Sequence, residues 1–348
     1  MMKESWLMMW MIVKQMRIII NNNKGNMSFV TKYSKSQSGL RSVVGPLRSV
    51  VTRLSLIFMG LLLSACTSLQ PIEKAGSGTV VPGVERKEVR LGLALGGGAA
   101  RGFAHVGVIQ VLEEAGLRPA YVVGTSAGSL VAALYASGKT PAELVRVAET
   151  MQEADITDWM LPILNRGALR GEALARFVNN QVGGRSLEQM RIPLGIVATD
   201  LGNGEAITFR RGNTGSAVRA SSAVPGVFQP VKVAEREFVD GGLVAPVPVR
   251  QTREMGANFV IAVDISSDPE GNPSGDTFQI LMQTFAIMGK SINQLALKEA
   301  DWVIRPALSG VRSADFGARQ RSIEAGRAAM REALPALKAR LAALESGR

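Results

Sequence analysis

The sequence has 348 residues and a formal net charge of +11, a balance that raises the question of nucleic acid or anionic lipid as a partner. The excess is concentrated near the N-terminus. Up to Ala65, nine Lys or Arg residues stand against one Glu and hold +8 of the charge, which leaves +3 for the other 283 residues. These 283 residues show no basic stripe interleaved with aromatic residues, which argues against nucleic-acid binding. The single cysteine excludes an intrachain disulfide.

The first 65 residues divide into a leader and a short apolar segment. Residues 1 to about 45 have no clear period, which is typical of a disordered leader or of an upstream start codon; we favour the second, with Met27 as one candidate start. Arg48 and Arg53 then precede an apolar run at 54–63 and the sequence Leu63-Ser64-Ala65-Cys66. This segment is too short to span a bilayer and resembles a bacterial lipoprotein signal, which ends at a lipidated cysteine.

The resemblance implies that the signal, residues 1–65, is removed and that Cys66 carries a lipid anchor. Two or three acyl chains hold a protein firmly on a membrane, whereas one chain does so only marginally. Thr67 follows where an aspartate would retain the protein at the inner membrane, so we expect an outer-membrane protein of the bacterial envelope that faces the periplasm. The alternative is that Cys66 is a buried structural thiol. Residues 66–88, rich in Pro, Gly, Ser and Thr, predict a flexible tether.

From Val89 onward, strand-like and helix-like runs alternate. The run 89–95 predicts a strand that leads into the loop Gly96-Gly97-Gly98-Ala99-Ala100-Arg101-Gly102, followed by a helix ending at Gly116. Such a loop can bind a dinucleotide phosphate or form an oxyanion hole from backbone N–H groups. The dinucleotide interpretation expects an acidic residue at the end of the next strand. That strand ends instead in Gly124-Thr125-Ser126, which disfavours a nucleotide site.

Residues 121–134 have the pattern of a nucleophile elbow, a strand, a sharp turn and a helix around Gly124-Thr125-Ser126-Ala127-Gly128. Ser126 is the candidate nucleophile, and Gly124 and Gly128 leave room for the turn. The hydroxyl needs a general base. The only histidine, His105, precedes Ser126, so the Ser, Asp, His order of α/β-hydrolases is excluded. Apolar neighbours predict that His105 is a core residue.

The rest of the chain adds further elements. Thr140 and Pro141 predict a helix start. Residues 150–191 predict helices and loops that form core or a lid over the site, with core favoured. The Met and Phe stripe of an amphipathic helix over 278–295 is assigned to the core, with an acyl-chain groove or a membrane-facing patch as the alternative. Further predicted strands are 194–200, 206–209, 259–264 and 302–306, and a last helix over 322–346 is expected to pack on the sheet.

The sequence Asp240-Gly241-Gly242 follows another strand-like run. An aspartate at a strand end before two glycines lies where the backbone can turn sharply and present a carboxylate. A plain turn aspartate is the alternative.

The three ordered motifs, at 96–102, 124–128 and 240–242, resemble patatin-like phospholipases, in particular the bacterial branch similar to the catalytic domain of neuropathy target esterase; the run 220–228 also resembles this family. The resemblance implies a Ser-Asp dyad without histidine, with Ser126 as nucleophile and Asp240 as general base. It implies an oxyanion hole in which the N–H groups of Gly97 and Gly98 are the donors. The residues assigned to this hole are Gly96, Gly97, Gly98, Arg101 and Gly102.

Three further expectations follow from the same resemblance. Ala99 stands where the family commonly has a fourth glycine; if this position needs positive φ, alanine costs about 1 kcal/mol. Arg101 is expected to hold the loop or to meet an anionic head group. Asp200 is expected to be structural or orienting.

We therefore expect a three-layer α/β fold with a mainly parallel sheet, in which residues 89–310 form the catalytic domain and 311–348 a C-terminal helical segment. The expected activity is hydrolysis of a phospholipid, a lysophospholipid or another fatty-acyl ester, without a metal or cofactor. Two alternatives stay open. One is an inactive lipid-binding scaffold of the envelope, and the other is an acyltransferase or protein deacylase with the same dyad.

Overall fold

The computed structural model of the protein describes residues 88–158, 167–270, 275–312 and 315–346. The predicted signal, the anchor residue Cys66 and all but the last residue of the predicted tether lie outside the described residues. Residues 159–166 of the segment predicted to form core or a lid also lie outside the described residues.

The described chain contains ten short strands. Five of them, rich in β-branched and other apolar residues, form a parallel sheet that is buried on both faces over most of its length. The strands are β1 (Leu91–Leu95), β2 (Tyr121–Thr125), β3 (Gly167–Leu169), β4 (Leu194–Asp200), β5 (Ala206–Phe209), β6 (Gly226–Phe228), β7 (Val231–Val233), β8 (Arg236–Asp240), β9 (Phe259–Val263) and β10 (Trp302–Ile304).

The strand order of the main sheet is β10-β9-β1-β2-β4-β8-β7, with β5 also paired to β4. The first five strands in this order are parallel, whereas β5, β7 and β8 are joined to the sheet in antiparallel fashion. Strands β3 and β6 form a separate parallel pair. The sheet is therefore mainly parallel, as expected.

Eight α-helices accompany these strands in the described residues. They are α1 (Phe103–Glu114), α2 (Ala127–Ala136), α3 (Pro141–Thr150), α4 (Glu172–Gln181), α5 (Thr214–Ser221), α6 (Val249–Glu254), α7 (Thr277–Ala296) and α8 (Arg319–Glu345). The start of α3 has the predicted cap, because Thr140 accepts the N–H of Glu143 and the Glu143 side chain accepts the N–H of Thr140.

Side chains alternate along β1 and divide the core between the two faces of the sheet. Leu93 and Leu95 pack into a large cluster with α1, α2 and α8. Ala94 points to the opposite face and packs with Val249 of α6 and Leu297. Helices on both faces of a mainly parallel sheet make the three-layer α/β fold that the alternation of elements predicts.

The segment after β3 belongs to the same core. Leu174 and Val178 of α4 are buried in the large cluster, together with Val182 and Leu187. Core packing, the favoured expectation for 150–191, is therefore confirmed for residues 167–191.

The C-terminal helix α8 packs mainly along α1 rather than directly on the sheet, which corrects the expected placement. A Cβ at Gly107 would lie 1.9 Å from the carbonyl oxygen of Ile323, and a Cβ at Gly326 would lie 2.0 Å from that of Ala104. Two glycines therefore let the helix backbones meet, and Met330 and Leu337 are fully buried in the same seam.

The assignment of the α7 stripe to the core is wrong. Among the residues of α7 whose burial is described, only Asn293 is buried. The reason is that α6 and Leu297 already cover this face of the sheet, so α7 packs at its margin, against the turn that follows β8 and against Gly226 of β6. Within the described part of the chain, none of the helices has the length and apolar character needed to cross a bilayer.

Candidate active site

Ser126 lies at the sharp turn between β2 and α2, as the elbow pattern predicts. Its backbone has φ 52° and ψ −123°, a conformation that a non-glycine residue adopts only under strain. A Cβ at Gly124 would lie 2.4 Å from the carbonyl oxygen of Gly128, and one at Gly128 would lie 2.1 Å from that of Leu95. Both glycines are therefore required for the close approach of α2 to the sheet.

Strand register brings Asp240 next to Ser126. Thr125, the last residue of β2, pairs with Val197 of β4, and Asp240, the last residue of β8, pairs with Ala198. Consecutive positions of β4 thus face the ends of β2 and β8. The hydroxyl of Ser126 donates a hydrogen bond of 2.6 Å to Oδ2 of Asp240, across 114 residues of sequence.

The Asp240 carboxylate is held by its own turn. Its Oδ1 accepts the N–H of Gly242 at 2.6 Å, and its backbone carbonyl accepts the Thr199 hydroxyl at 2.8 Å. A Cβ at Gly241 would lie 2.3 Å from the carbonyl oxygen of Val197, so the turn must begin with glycine. Burial raises the pKa of Asp240 to about 6, while the hydrogen bonds from Ser126 and Gly242 oppose that rise.

The glycine-rich loop runs alongside Ser126. A Cβ at Gly97 would lie 3.2 Å from the Cβ of Ser126, and one at Gly102 would lie 2.8 Å from that of Ala127. A side chain at either glycine would therefore press against the elbow. This places residues 96–102 beside the nucleophile, as expected for an oxyanion loop.

The expected donors of this loop need a correction. The N–H of Gly96 donates to the carbonyl of Val263 at 3.0 Å and so extends the pairing of β1 with β9, and the N–H of Gly97 donates to the carbonyl of Pro246, in the loop before α6, at 2.9 Å. Neither N–H is free to meet an oxyanion. Within the described residues, the N–H groups of Gly98 and of Ala127, which follows the nucleophile, have no hydrogen-bond partner.

The backbone of Ala99 and the burial of Arg101 bear on the roles expected for these two residues of the glycine-rich loop. Ala99 has φ 50° and is exposed, so the position where glycine was expected does adopt a left-handed backbone. Arg101 is 7% exposed, its Nε has no partner in the described residues, and its burial lowers the pKa of the guanidinium. This burial favours the first of its two expected roles, which is to hold the loop.

His105 lies in the core, as predicted, and its ring contacts the glycine-rich loop. Its Nε2 is 2.8 Å from the carbonyl oxygen of Gly96, and the ring is fully buried. Burial lowers the pKa of His105 to about 4, so the ring is neutral near pH 7 and Nε2–H is the donor to Gly96. The histidine therefore orients the glycine loop rather than taking the proton of Ser126.

Ser221 is a residue of the site that sequence reasoning missed. Its hydroxyl accepts the backbone N–H of Ser126 at 2.9 Å and donates to the carbonyl of Val197 at 2.5 Å. The only feature of the sequence that could have indicated Ser221 was its place in the run 220–228, which resembles the family. Asp200 is structural, as expected: its carboxylate accepts the N–H of Gly202 and pairs with Arg236.

Residues 93–253 match the family model described as patatin-like phospholipase, a span that contains the glycine loop, the elbow and Asp240. The chain carries a patatin-like phospholipase domain. The match covers all three motifs on which the resemblance rested.

Proteins with similar sequences are known in bacteria and in mammals. An uncharacterized NTE family protein of Mycobacterium tuberculosis is 38% identical over 188 residues, which are 54% of this chain and 52% of that protein. Patatin-like phospholipase domain-containing protein 6 of Mus musculus is 30% identical over 215 residues, which are 60% of this chain and 16% of that protein. The chain thus spans about half the length, or less, of these curated relatives.

Two solved structures are similar to this chain. VipD from Legionella pneumophila has a TM-score of 0.49 and 15% sequence identity, over 71% of this chain and 66% of that chain. The ExoU-SpcU complex from the type III secretion system of Pseudomonas aeruginosa gives a TM-score of 0.35 and 20% identity, over 62% and 52%.

Proposed function

We propose that the protein is a serine acyl hydrolase that cleaves fatty-acyl esters of lipids through Ser126 and Asp240. The patatin-like domain supports a lipid-acyl hydrolase in general. The observation that carries the finer proposal is the 2.6 Å hydrogen bond from the Ser126 hydroxyl to a buried carboxylate whose pKa is raised to about 6.

In the proposed first step, Asp240 accepts the proton of the Ser126 hydroxyl while Oγ attacks the ester carbonyl. A carboxylate with an ordinary pKa would be a weak base, and the raised pKa brings it closer to the pH at which it works. The backbone strain at Ser126 fixes the direction of Oγ, so little ordering is needed at the moment of attack.

The tetrahedral oxyanion is assigned to the N–H groups of Gly98 and Ala127. These donors lie on the glycine loop and directly after the nucleophile, which are the two usual sources of such a hole. Loss of one oxyanion donor typically costs about 2.7 to 4 kcal/mol in the barrier. Asp240 then returns its proton to the leaving alcohol, and it activates a water that releases the acyl group from Ser126.

The substrate class is a phospholipid, a lysophospholipid or another fatty-acyl ester. The same dyad would also serve an acyltransferase or a protein deacylase, in which the acyl acceptor or donor differs. Those alternatives are decided by the product, since a hydrolase releases free fatty acid in the absence of any acceptor other than water.

The test is hydrolysis of a short-chain p-nitrophenyl ester and of a dispersed phospholipid by the wild type, Ser126→Ala and Asp240→Asn. We expect both variants to lose at least about a hundredfold in kcat/KM. A fluorophosphonate probe should label the wild type and leave Ser126→Ala unlabelled.

Ser137→Ala is the matched control. Ser137 is also a buried serine, but its hydroxyl donates only to the carbonyl of Leu134 in its own helix. The Ser137→Ala variant should hydrolyse both substrates at the wild-type rate. A wild type that releases no fatty acid and takes no label would favour the inactive scaffold, and product formed only with an added acceptor would favour the acyltransferase.

We further propose that Cys66 is lipidated and that the protein is held at the outer membrane of the bacterial envelope, facing the periplasm. The support is the sequence alone, with Arg48 and Arg53 before the apolar run and Leu63-Ser64-Ala65 before Cys66. Incorporation of labelled palmitate into the wild type and its loss in Cys66→Ala is the test. Equal labelling of the two proteins would contradict the anchor.

A further inference from the structure

Helix α7 presents an apolar face to solvent. Seven large apolar side chains are exposed in the described residues, and five of them lie on this one helix, with exposed fractions from 36% to 68%. These five are Ile280, Leu281, Ile287, Met288 and Leu295. Soluble monomers rarely gather so many apolar side chains on one exposed element, which marks this face as an interaction surface.

The exposed residues share one side of the helix. They recur at spacings of seven and eight, with Thr284 and Ser291 between them, and we call this the outer face of α7. Ile292, Phe285 and Met282, which continue from the edge of the outer face towards the opposite side, are half-buried. The ridge between the two faces is polar and narrow, so α7 is apolar around most of its circumference. The ridge residues are Gln279, Gln283, Lys290 and Gln294.

Helix α7 lies beside the proposed active site. It contacts the turn Gly241–Leu243 that follows Asp240. A Cβ at Gly289 would lie 3.8 Å from Cγ of Pro246, the residue whose carbonyl holds the glycine loop. Leu281 of the outer face also reaches this region, since a Cβ at Gly226 would lie 3.2 Å from its Cδ2, and Gly226 follows Ala223, whose carbonyl accepts the N–H of Asp240. One edge of the outer face therefore adjoins the loop beside Asp240.

Charge and area indicate what binds this face. Residues 277–296 contain no carboxylate, and their one ionisable side chain, Lys290, is paired with Asp268 at 3.0 Å, so the outer face carries no net charge. The five side chains offer on the order of 400 Å² of apolar surface, about half of the ~800 Å² per partner that a stable protein interface buries. A lipid surface sets no such lower limit, because an interfacial helix needs only to insert its apolar face.

We propose that the outer face of α7 inserts into a lipid surface and holds the opening of the Ser126 site against it. This inference rests on the proposed function for its choice of lipid, since a fatty-acyl ester resides in such a surface. It differs from the Cys66 anchor, because an anchor at the end of a tether does not orient the domain.

The test uses the full chain with Cys66→Ser and Ser126→Ala, which removes the only cysteine and prevents hydrolysis of the vesicles. Ser291→Cys on the outer face is labelled with an environment-sensitive fluorophore; Lys338→Cys, which is exposed on α8, is the matched control. Vesicles of phosphatidylethanolamine and phosphatidylglycerol should shift the emission at residue 291 to the blue and leave residue 338 unchanged. Quenchers attached to the acyl chains should reach only the label at 291.

Ile287→Gln with Met288→Gln should lower the vesicle affinity reported at residue 291 by about tenfold or more, whereas Ile287→Leu with Met288→Leu should retain it. No shift at residue 291 overturns the proposal. A blue shift at residue 291 in the absence of vesicles also overturns the proposal. If that shift depends on protein concentration, the outer face binds a second copy of the chain. If it does not, the outer face is covered by another part of the same chain.

Activity separates this inference from the proposed function. With Ser126 intact, the double glutamine variant should lose about tenfold in hydrolysis of vesicle phospholipid and keep the wild-type rate on the short-chain ester. If the wild type cleaves neither substrate, the proposed hydrolase fails, and the fluorescence at residue 291 still decides whether α7 meets lipid.

Discussion

The hydroxyl of Ser221 holds the backbone of Ser126 in place. It accepts a hydrogen bond from the Ser126 N–H at 2.9 Å and donates one to the carbonyl of Val197, so the elbow is tied to the neighbouring strand β4. That strand also pairs with β8, which ends at Asp240. One buried hydroxyl therefore connects the two elements that carry the proposed dyad, although it does not contact the reacting atoms.

Ser221→Ala should lower kcat by about ten- to a hundredfold with little change in KM, because the freed Ser126 N–H lets the elbow shift relative to Asp240. The lost buried hydrogen bond should also reduce the free energy of unfolding by about 1 to 3 kcal/mol. Ser221→Thr keeps the hydroxyl and should restore most of kcat. Steady-state kinetics on a short-chain ester measure this, and a variant that loses stability but keeps the wild-type kcat would contradict a positioning role.

The rate should depend on the protonation of Asp240. Burial raises its pKa to about 6, and only the ionised carboxylate can accept the Ser126 proton, so kcat/KM should rise as the pH increases through about 6 and level off above 7. His105 has its pKa lowered to about 4 and should add no limb near its ordinary value. The same limb should therefore survive in His105→Gln, whatever the rate of that variant.

The Asp240→Asn variant, although inactive, should be more stable than the wild type at neutral pH. Because the pKa of Asp240 is higher in the folded than in the unfolded chain, folding favours the protonated acid, and stability falls as the pH rises from about 4 through about 6. A rise of about two units corresponds to at most about 3 kcal/mol. Denaturant unfolding should show a gain of about 1 to 3 kcal/mol at pH 8 that vanishes near pH 4.

Ala99→Gly should stabilise the protein. Ala99 has φ 50° and is exposed, so its Cβ adds strain without contributing to the core. We expect a gain of about 0.5 to 1 kcal/mol in the free energy of unfolding, reduced in part by the entropy of glycine in the unfolded chain. Ala99→Val should change stability in the opposite direction, because a β-branched residue tolerates positive φ less well.

The sequence predicts the sheet and the elbow because these features follow local rules of spacing, whereas the meeting of Ser126 with Asp240, 114 residues apart, was expected only from the resemblance to patatin-like phospholipases. The strand over 194–200 and the cap at Thr140 have the bounds that their residues indicate. The donors of the glycine loop could not be predicted in the same way. The partner of the Gly97 N–H is a carbonyl 149 positions away, at Pro246, and local pattern contains no trace of it.

The exposure of α7 could not be predicted from the sequence for a related reason. A helix buried in the core and a helix that meets lipid have the same period of apolar residues, and only the packing of neighbouring elements separates them. Here α6 and Leu297 occupy the face of the sheet. Ser221 was missed because a serine among small residues has no period and its partners, Ser126 and Val197, are distant in sequence.

Gly128→Ala should be the most damaging small substitution at the elbow. A Cβ there would lie 2.1 Å from the carbonyl oxygen of Leu95, a contact with strand backbone that can be relieved only by moving α2 off the sheet. Both stability and activity should therefore fall, by more than about 3 kcal/mol and about a hundredfold. Gly116→Ala is the matched control, since Gly116 has φ 75° but open space around it. That control should cost only about 1 kcal/mol and leave kcat unchanged. Thermal unfolding and ester hydrolysis of the two variants make the comparison, and equal losses in both would show that backbone strain, rather than the contact with Leu95, accounts for the glycine.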